Sequence, residues 1–266
     1  MQFVKLNGIN IHYQIIGAPD DKPVLVFSNS LGTDFRIWRD LVMRFAGDYA
    51  IIAYDKRGHG LSDAPPAPYK MDDHVGDLAA LLDYLSVKEA IVCGLSVGGL
   101  IAQGLALTRP DLVRALILCD TGHKIGNDEL WNMRIETVQA QGLSALSDAI
   151  LERWFSEAYR RDDNPDFAGY RNMLERTPVA GYAGTSYAIR DSDFTAMTPT
   201  IDVPTLCIVG DEDGATPPAL VEELSGLIPK SEFEVITGAG HLPCIEQPIA
   251  MYEIMHTFLR RTLANA

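Results

Sequence analysis

The feature that most narrows the possible fold is a series of short apolar runs without polar alternation, at residues 24–27, 50–54, 90–93, 115–118, 205–209 and 233–236. Such runs fit strands covered on both faces, as in a parallel sheet. Helical periodicity fills the intervals. Val75, Leu78, Leu81, Leu82 and Leu85 mark one helix, and residues 97–108, 217–227 and 249–263 behave alike. Strands alternating with helices predict crossover units on a mostly parallel sheet flanked by helices, with the chemistry in loops at the carboxyl ends of the strands. Ahead of them, residues 3–6, the turn pair Asn7-Gly8 and residues 9–16 predict a hairpin. Only residues 123–193 break the rhythm. They offer helix-like pieces at 146–155 and 166–175 and no apolar run, which predicts a helical cap (123–193) inserted into an α/β core (1–122 and 194–266).

A net charge of -14 argues against nucleic acid or an anionic membrane as a partner, since both would be repelled. It also means that an anionic substrate needs a local cation. The amino-terminal residues lack the basic start and apolar run of a signal peptide, and no stretch is long enough to span a bilayer. Cys93, Cys119, Cys207 and Cys244 form no CxxC pair. Free, buried thiols in a reducing cytoplasm are expected.

The strongest chemical signal is Gly94-Leu95-Ser96-Val97-Gly98, placed between an apolar strand and a helix. A sharp strand-to-helix turn exposes the serine as a nucleophile, and its crowded neighbours must lack side chains. The helix amino terminus and the Val97 amide then face a developing oxyanion. Such a nucleophile needs a base and an acid. His241 follows the last strand in a small-residue loop, and Asp211 and Asp213 follow the strand before it. The order Ser, Asp, His suits this arrangement. Asp120, at the end of an earlier strand, is a remoter acid. A second oxyanion amide is expected from residues 28–33, with Leu31 as the candidate. The segment Asp55-Lys56-Arg57-Gly58-His59-Gly60 reads as a structural turn, and the histidines other than His241 as structural or surface groups. The spacing offers no metal-ligand cluster.

With these residues in view, the chain resembles the α/β-hydrolase family over essentially its whole length. More narrowly, it resembles the 3-oxoadipate enol-lactonases of bacterial aromatic degradation. The narrow likeness rests on Ser28-Asn29-Ser30-Leu31-Gly32-Thr33 where most such hydrolases carry His-Gly. It rests also on the elbow from Cys93 to Gly99, on Lys124-Ile125-Gly126 and Trp131 to Ile135, and on Ala188-Ile189-Arg190-Asp191. The resemblance implies the α/β-hydrolase fold and Asp213 as the acid, because Gly210 to Pro217 is similar to the family's acid turn. It implies a small anionic lactone as substrate, opened through an acyl-enzyme without cofactor or metal. Arg134 and Arg190 are then the candidate carboxylate ligands, and Trp38 and Trp131 the candidate apolar wall. An esterase, a carbon–carbon bond hydrolase and a cofactor-free perhydrolase on the same scaffold remain open, and a binding module that kept the fold is a distant fourth. An aspartate-nucleophile dehalogenase or epoxide hydrolase is disfavoured by Ser96.

Overall fold

The computed structural model of the chain describes residues 2–264. Its centre is an eight-stranded sheet in the order β1-β2-β4-β3-β5-β6-β7-β8. The strands are β1 (Gln2–Leu6), β2 (Ile9–Ile16), β3 (Val24–Ser28), β4 (Ala50–Tyr54), β5 (Ala90–Leu95), β6 (Val113–Cys119), β7 (Thr205–Gly210) and β8 (Ser231–Ile236). β1 and β2 form the expected antiparallel hairpin, and β2 runs antiparallel to β4. The other pairings are parallel. β3, β4, β5 and β7 are buried throughout, as unbroken apolar runs require.

One strand differs from expectation. β8 lies at the sheet edge, and most of its residues are partly or fully exposed. Glu232 and Glu234 along it explain why: an edge strand is covered on fewer sides and tolerates charge. The run 233–236 was expected to be buried on both faces, and only Ile236 is buried.

The sheet order places the site. The chain leaves β3 for β4 on one side, then crosses to β5 on the other. The loops after β3 and β5 therefore part around a crevice, where open α/β sheets collect their chemistry. Ser28 at the end of β3 pairs in register with Gly94 on β5. The core helices are α1 (Arg39–Phe45), α2 (Met71–Tyr84), α3 (Val97–Thr108), α8 (Pro218–Leu227), α9 (Pro243–Glu246) and α10 (Pro248–Ala264). Residues 123–193 hold α4 (Asp128–Gln141), α5 (Ser147–Trp154), α6 (Pro165–Glu175) and α7 (Val179–Arg190), with no strand.

The turn after β4 is tied down by charge. Arg57 donates to both carboxylate oxygens of Asp77 on α2, at 2.7 and 2.8 Å, and Asn7 adds a third bond at 3.0 Å. Asp77 is 1% exposed. Removing Asp77 leaves the buried Arg57 with only Asp73, at 3.7 Å, as a counter-ion, so Asp77→Ala is expected to destabilise the fold by about 3 kcal/mol. Urea unfolding would check this, and a midpoint within error of wild type would refute it.

Candidate active site

Ser96 stands between β5 and α3 with φ 57° and ψ −118°, a backbone conformation that costs a non-glycine residue about 1–3 kcal/mol. Its neighbours fasten it: its amide donates to the Cys119 carbonyl at 3.0 Å, and Thr121 Oγ1 donates to its carbonyl at 2.7 Å. The glycines are a packing requirement. A Cβ at Gly94 would strike the Gly98 carbonyl, and one at Gly98 would strike the Ser28 carbonyl.

His241 lies in the loop after β8, 1% exposed. Its Nδ1 is 2.9 Å from Asp213 Oδ2. An ionised carboxylate only accepts, so the Nδ1 proton donates and Nε2 is left as the free base. Asp213 also accepts from the Ala215 and Thr216 amides and, at 2.7 Å, from Thr216 Oγ1. Burial pushes its carboxyl pKa up, but His241 and these donors outweigh that and hold it below the ordinary value. Asp211 turns elsewhere, its Oδ1 accepting from the Gly238 amide at 2.7 Å.

Asp120, at the end of β6, is fully buried and accepts from the Gly210 amide at 2.9 Å. Burial first, then the Asp213 charge, raises its pKa well above the carboxylate range. Asp120, Asp213 and His241 each place a ligand-type atom within 4.8 Å of the others. The sequence spacing shows no such grouping, because three separate strand ends supply it.

Nε2 of His241 faces Ser30 Oγ at 3.4 Å, on the loop after β3. Among the described residues no hydrogen bond joins Nε2 to Ser96 Oγ, a contact that is commonly long before a substrate is bound. The loop is held from behind. Gly32 N–H donates to His59 Nε2 at 3.0 Å, and Thr33 N–H to the Ser30 carbonyl at 3.3 Å. Lys56 Nζ donates to that same carbonyl at 2.6 Å. The amides of Leu31 and Val97 have no partner among the described residues.

The helical stretch 123–193 is laced by its backbone to the loops that carry His241 and Asp213. The His241 amide donates to the Trp154 carbonyl at 2.8 Å, and the Gly214 amide to that of Arg153 at 3.2 Å. Glu246 bridges the seam, accepting from Ser156 Oγ at 2.6 Å and from the Gly240 amide at 2.7 Å.

The expected substrate ligands fare unequally. Trp131 is buried, its indole N–H bonded to the Ile125 carbonyl at 2.7 Å, and the Arg134 guanidinium lies 5.2 Å from its ring. Arg134 has no carboxylate partner among the described residues and stands beside the phenol of Tyr182, whose ring edge reaches Gly32 on the loop after β3. Arg190 is already committed to Asp191 at 2.7 Å and Asn132 at 2.7 Å. Trp38 is fully buried and stacked on Phe27, 4.8 Å between ring centroids.

Sequence reasoning read Lys56 and His59 only as parts of a structural turn and did not name Glu246. Lys56 carried a signal, a lysine two residues past a strand buried throughout; His59 and Glu246 gain their contacts only in the fold.

Comparison with known proteins supplies a further line. Residues 23–248 match the model of the alpha/beta hydrolase fold family. The chain is 34% identical over 253 residues to 3-oxoadipate enol-lactonase 2 of Acinetobacter baylyi, covering 95% of this chain and 94% of that one. The crystal structure of the enol-lactonase from Burkholderia xenovorans LB400 matches with a TM-score of 0.94 and 35% identity, over 97% of this chain and all of that one. A thermophilic esterase from Thermogutta terrifontis matches with a TM-score of 0.91 and 28% identity, over 98% and 99% of the two chains. Among the described residues no helix is long and apolar enough to cross a membrane.

Proposed function

The chain belongs to the α/β hydrolase fold family, and from that premise we propose that it opens 3-oxoadipate enol-lactone to 3-oxoadipate, a step in bacterial breakdown of aromatic compounds. The observation that carries the reading is the Asp213–His241 bond at 2.9 Å beside the strained Ser96 elbow, in a chain similar over most of its length to enol-lactonases.

Ser96 Oγ attacks the lactone carbonyl while Nε2 of His241 takes its proton, and Asp213 stabilises the resulting imidazolium. The oxyanion accepts from the Leu31 and Val97 amides. Collapse breaks the ring carbon–oxygen bond, and the enolate, still part of the acyl group, takes the proton held on Nε2 of His241 and tautomerises to the ketone. The chain remains esterified to Ser96 until His241 activates water. The enolate is a stable leaving group, so positioning and oxyanion stabilisation are the main demands on the protein. Arg134 is assigned to the substrate carboxylate, because Arg190 is already paired.

The test follows loss of the enol-lactone's ultraviolet absorbance, with p-nitrophenyl acetate as a neutral comparison. Fast lactone turnover with weak ester cleavage is expected. Arg134→Met should raise KM for the lactone about 10–100-fold, the worth of a charge-assisted pair, and leave the neutral ester unaffected. Rapid ester cleavage with an untouched lactone would favour instead a general esterase, the reading that the Thermogutta relative supports.

A further inference from the structure

We propose that Lys56 is a positioning residue that strengthens the oxyanion donor at Leu31, acting through the single peptide unit between Ser30 and Leu31. This rests on the reading of Ser96 and Leu31 given above. Lys56 is 1% exposed and its Nζ lies 2.6 Å from the Ser30 carbonyl oxygen. That carbonyl and the Leu31 N–H belong to one planar, trans peptide unit, so they point in opposite directions. A cation that grips the oxygen from behind draws electron density along the unit and makes the N–H on the other side a stronger donor. Thr33 adds two neutral donors to the same oxygen, its hydroxyl at 2.9 Å and its amide at 3.3 Å.

Fastening the loop does not by itself call for a charge. Thr33 and the His59–Gly32 bond already hold it, and a buried ammonium carries a large desolvation penalty. Lys56 has no carboxylate within ion-pair distance among the described residues. The nearby acids are engaged: Asp34 binds Arg36, and Asp55 binds His12 and the amides of Phe35 and Leu61. His59 and His74 face the same region, and burial together with the Lys56 charge keeps both imidazoles neutral. Burial pushes the Lys56 pKa down to about 7, against the pull of Asp55 and Asp34. Where the group is protonated, below about pH 7, the cation is held against this burial and aimed at one peptide oxygen. Its return comes when negative charge develops on the far side of that peptide.

The experiment uses p-nitrophenyl acetate, so that it does not depend on the lactone assignment. Lys56→Met is expected to lower kcat about 10–100-fold with KM changed less than about threefold, since an interaction made only in the transition state moves kcat and kcat/KM together. Inhibition by a boronic acid, which forms a tetrahedral adduct on the serine, should weaken by the same factor. Thr33→Val, which removes a neutral donor to that oxygen together with an acceptor of Asn29 Nδ2, should lower kcat about 2–5-fold. A folded Lys56→Met enzyme with unchanged kcat, or with raised KM and unchanged kcat, overturns the proposal. If Lys56→Met does not fold, Thr33→Val decides, and an unchanged kcat there overturns it. Ser96→Ala in the same assay separates the two readings. Persistent activity there defeats the site assignment itself, whereas an inert Ser96→Ala beside a fully active Lys56→Met defeats only the role of Lys56.

Discussion

Replacing Ser96 by alanine is expected to lower kcat by about 10⁴–10⁶-fold while the fold is unchanged, because a nucleophile acts as one unit with its base and acid. The side chain lost is small, and the backbone bonds at Ser96 run through main-chain atoms and Thr121. Circular dichroism and the unfolding midpoint should therefore match wild type. The geometry also supplies a sharp competitor. Ser30 Oγ, not Ser96 Oγ, makes the recorded contact with Nε2 of His241. If Ser30 were the nucleophile, Ser96→Ala would retain much of its activity and Ser30→Ala would lose it. A fluorophosphonate probe followed by peptide mapping decides between them, with label expected on the peptide containing Ser96. The elbow favours that outcome, since Ser96 alone opens a buried helix amino terminus.

The second large effect falls on the acid. Asp213→Asn is expected to lower kcat about 10⁴-fold, because an amide at that position leaves His241 in the wrong tautomer. Asp211→Asn should stay within a few-fold of wild type, since that carboxylate caps the Gly238 turn and does not face the imidazole. Asp120 is the informative control. Burial, then the Asp213 charge, raises its carboxyl pKa well above the ordinary value, which favours the neutral form that Asn mimics, and the loss should remain within about tenfold. The variants should be compared by kcat/KM across neutral pH. Equal losses at 120 and 213 would move the acid to the end of β6 and discard the assignment.

These contrasts show which parts of the molecule can be read from the chain. The elbow was legible because its requirements are local: an apolar run, two glycines that exclude a Cβ, and a helix start within a few residues. The helical stretch at 123–193 was legible as an interruption of strand rhythm. β8 was misjudged because the apolar Phe233, Val235 and Ile236 look alike in an edge strand and a central one, and the weight of Glu234 among them was missed. Asp211 and Asp213 sit two residues apart in one turn, and only the folded backbone turns one towards His241 and the other towards Gly238. Lys56 and Ser30 are far apart in sequence. Their contact exists because β3 and β4 are parallel neighbours, so the loops after them emerge at the same end of the sheet.

The backbone seam between residues 153–156 and the loops of His241 and Gly214 bears on how this scaffold can be re-engineered. A chimera that swaps the whole helical stretch for a donor's would discard the Trp154 carbonyl that holds the His241 amide, and with it the Ser156 anchor of Glu246. A better graft keeps residues 153–156 with the recipient and joins the donor segments on either side. The exposed side chain of Arg153 is then open to change, because the bond that matters leaves from its main-chain oxygen, whereas the Trp154 indole is buried in the core.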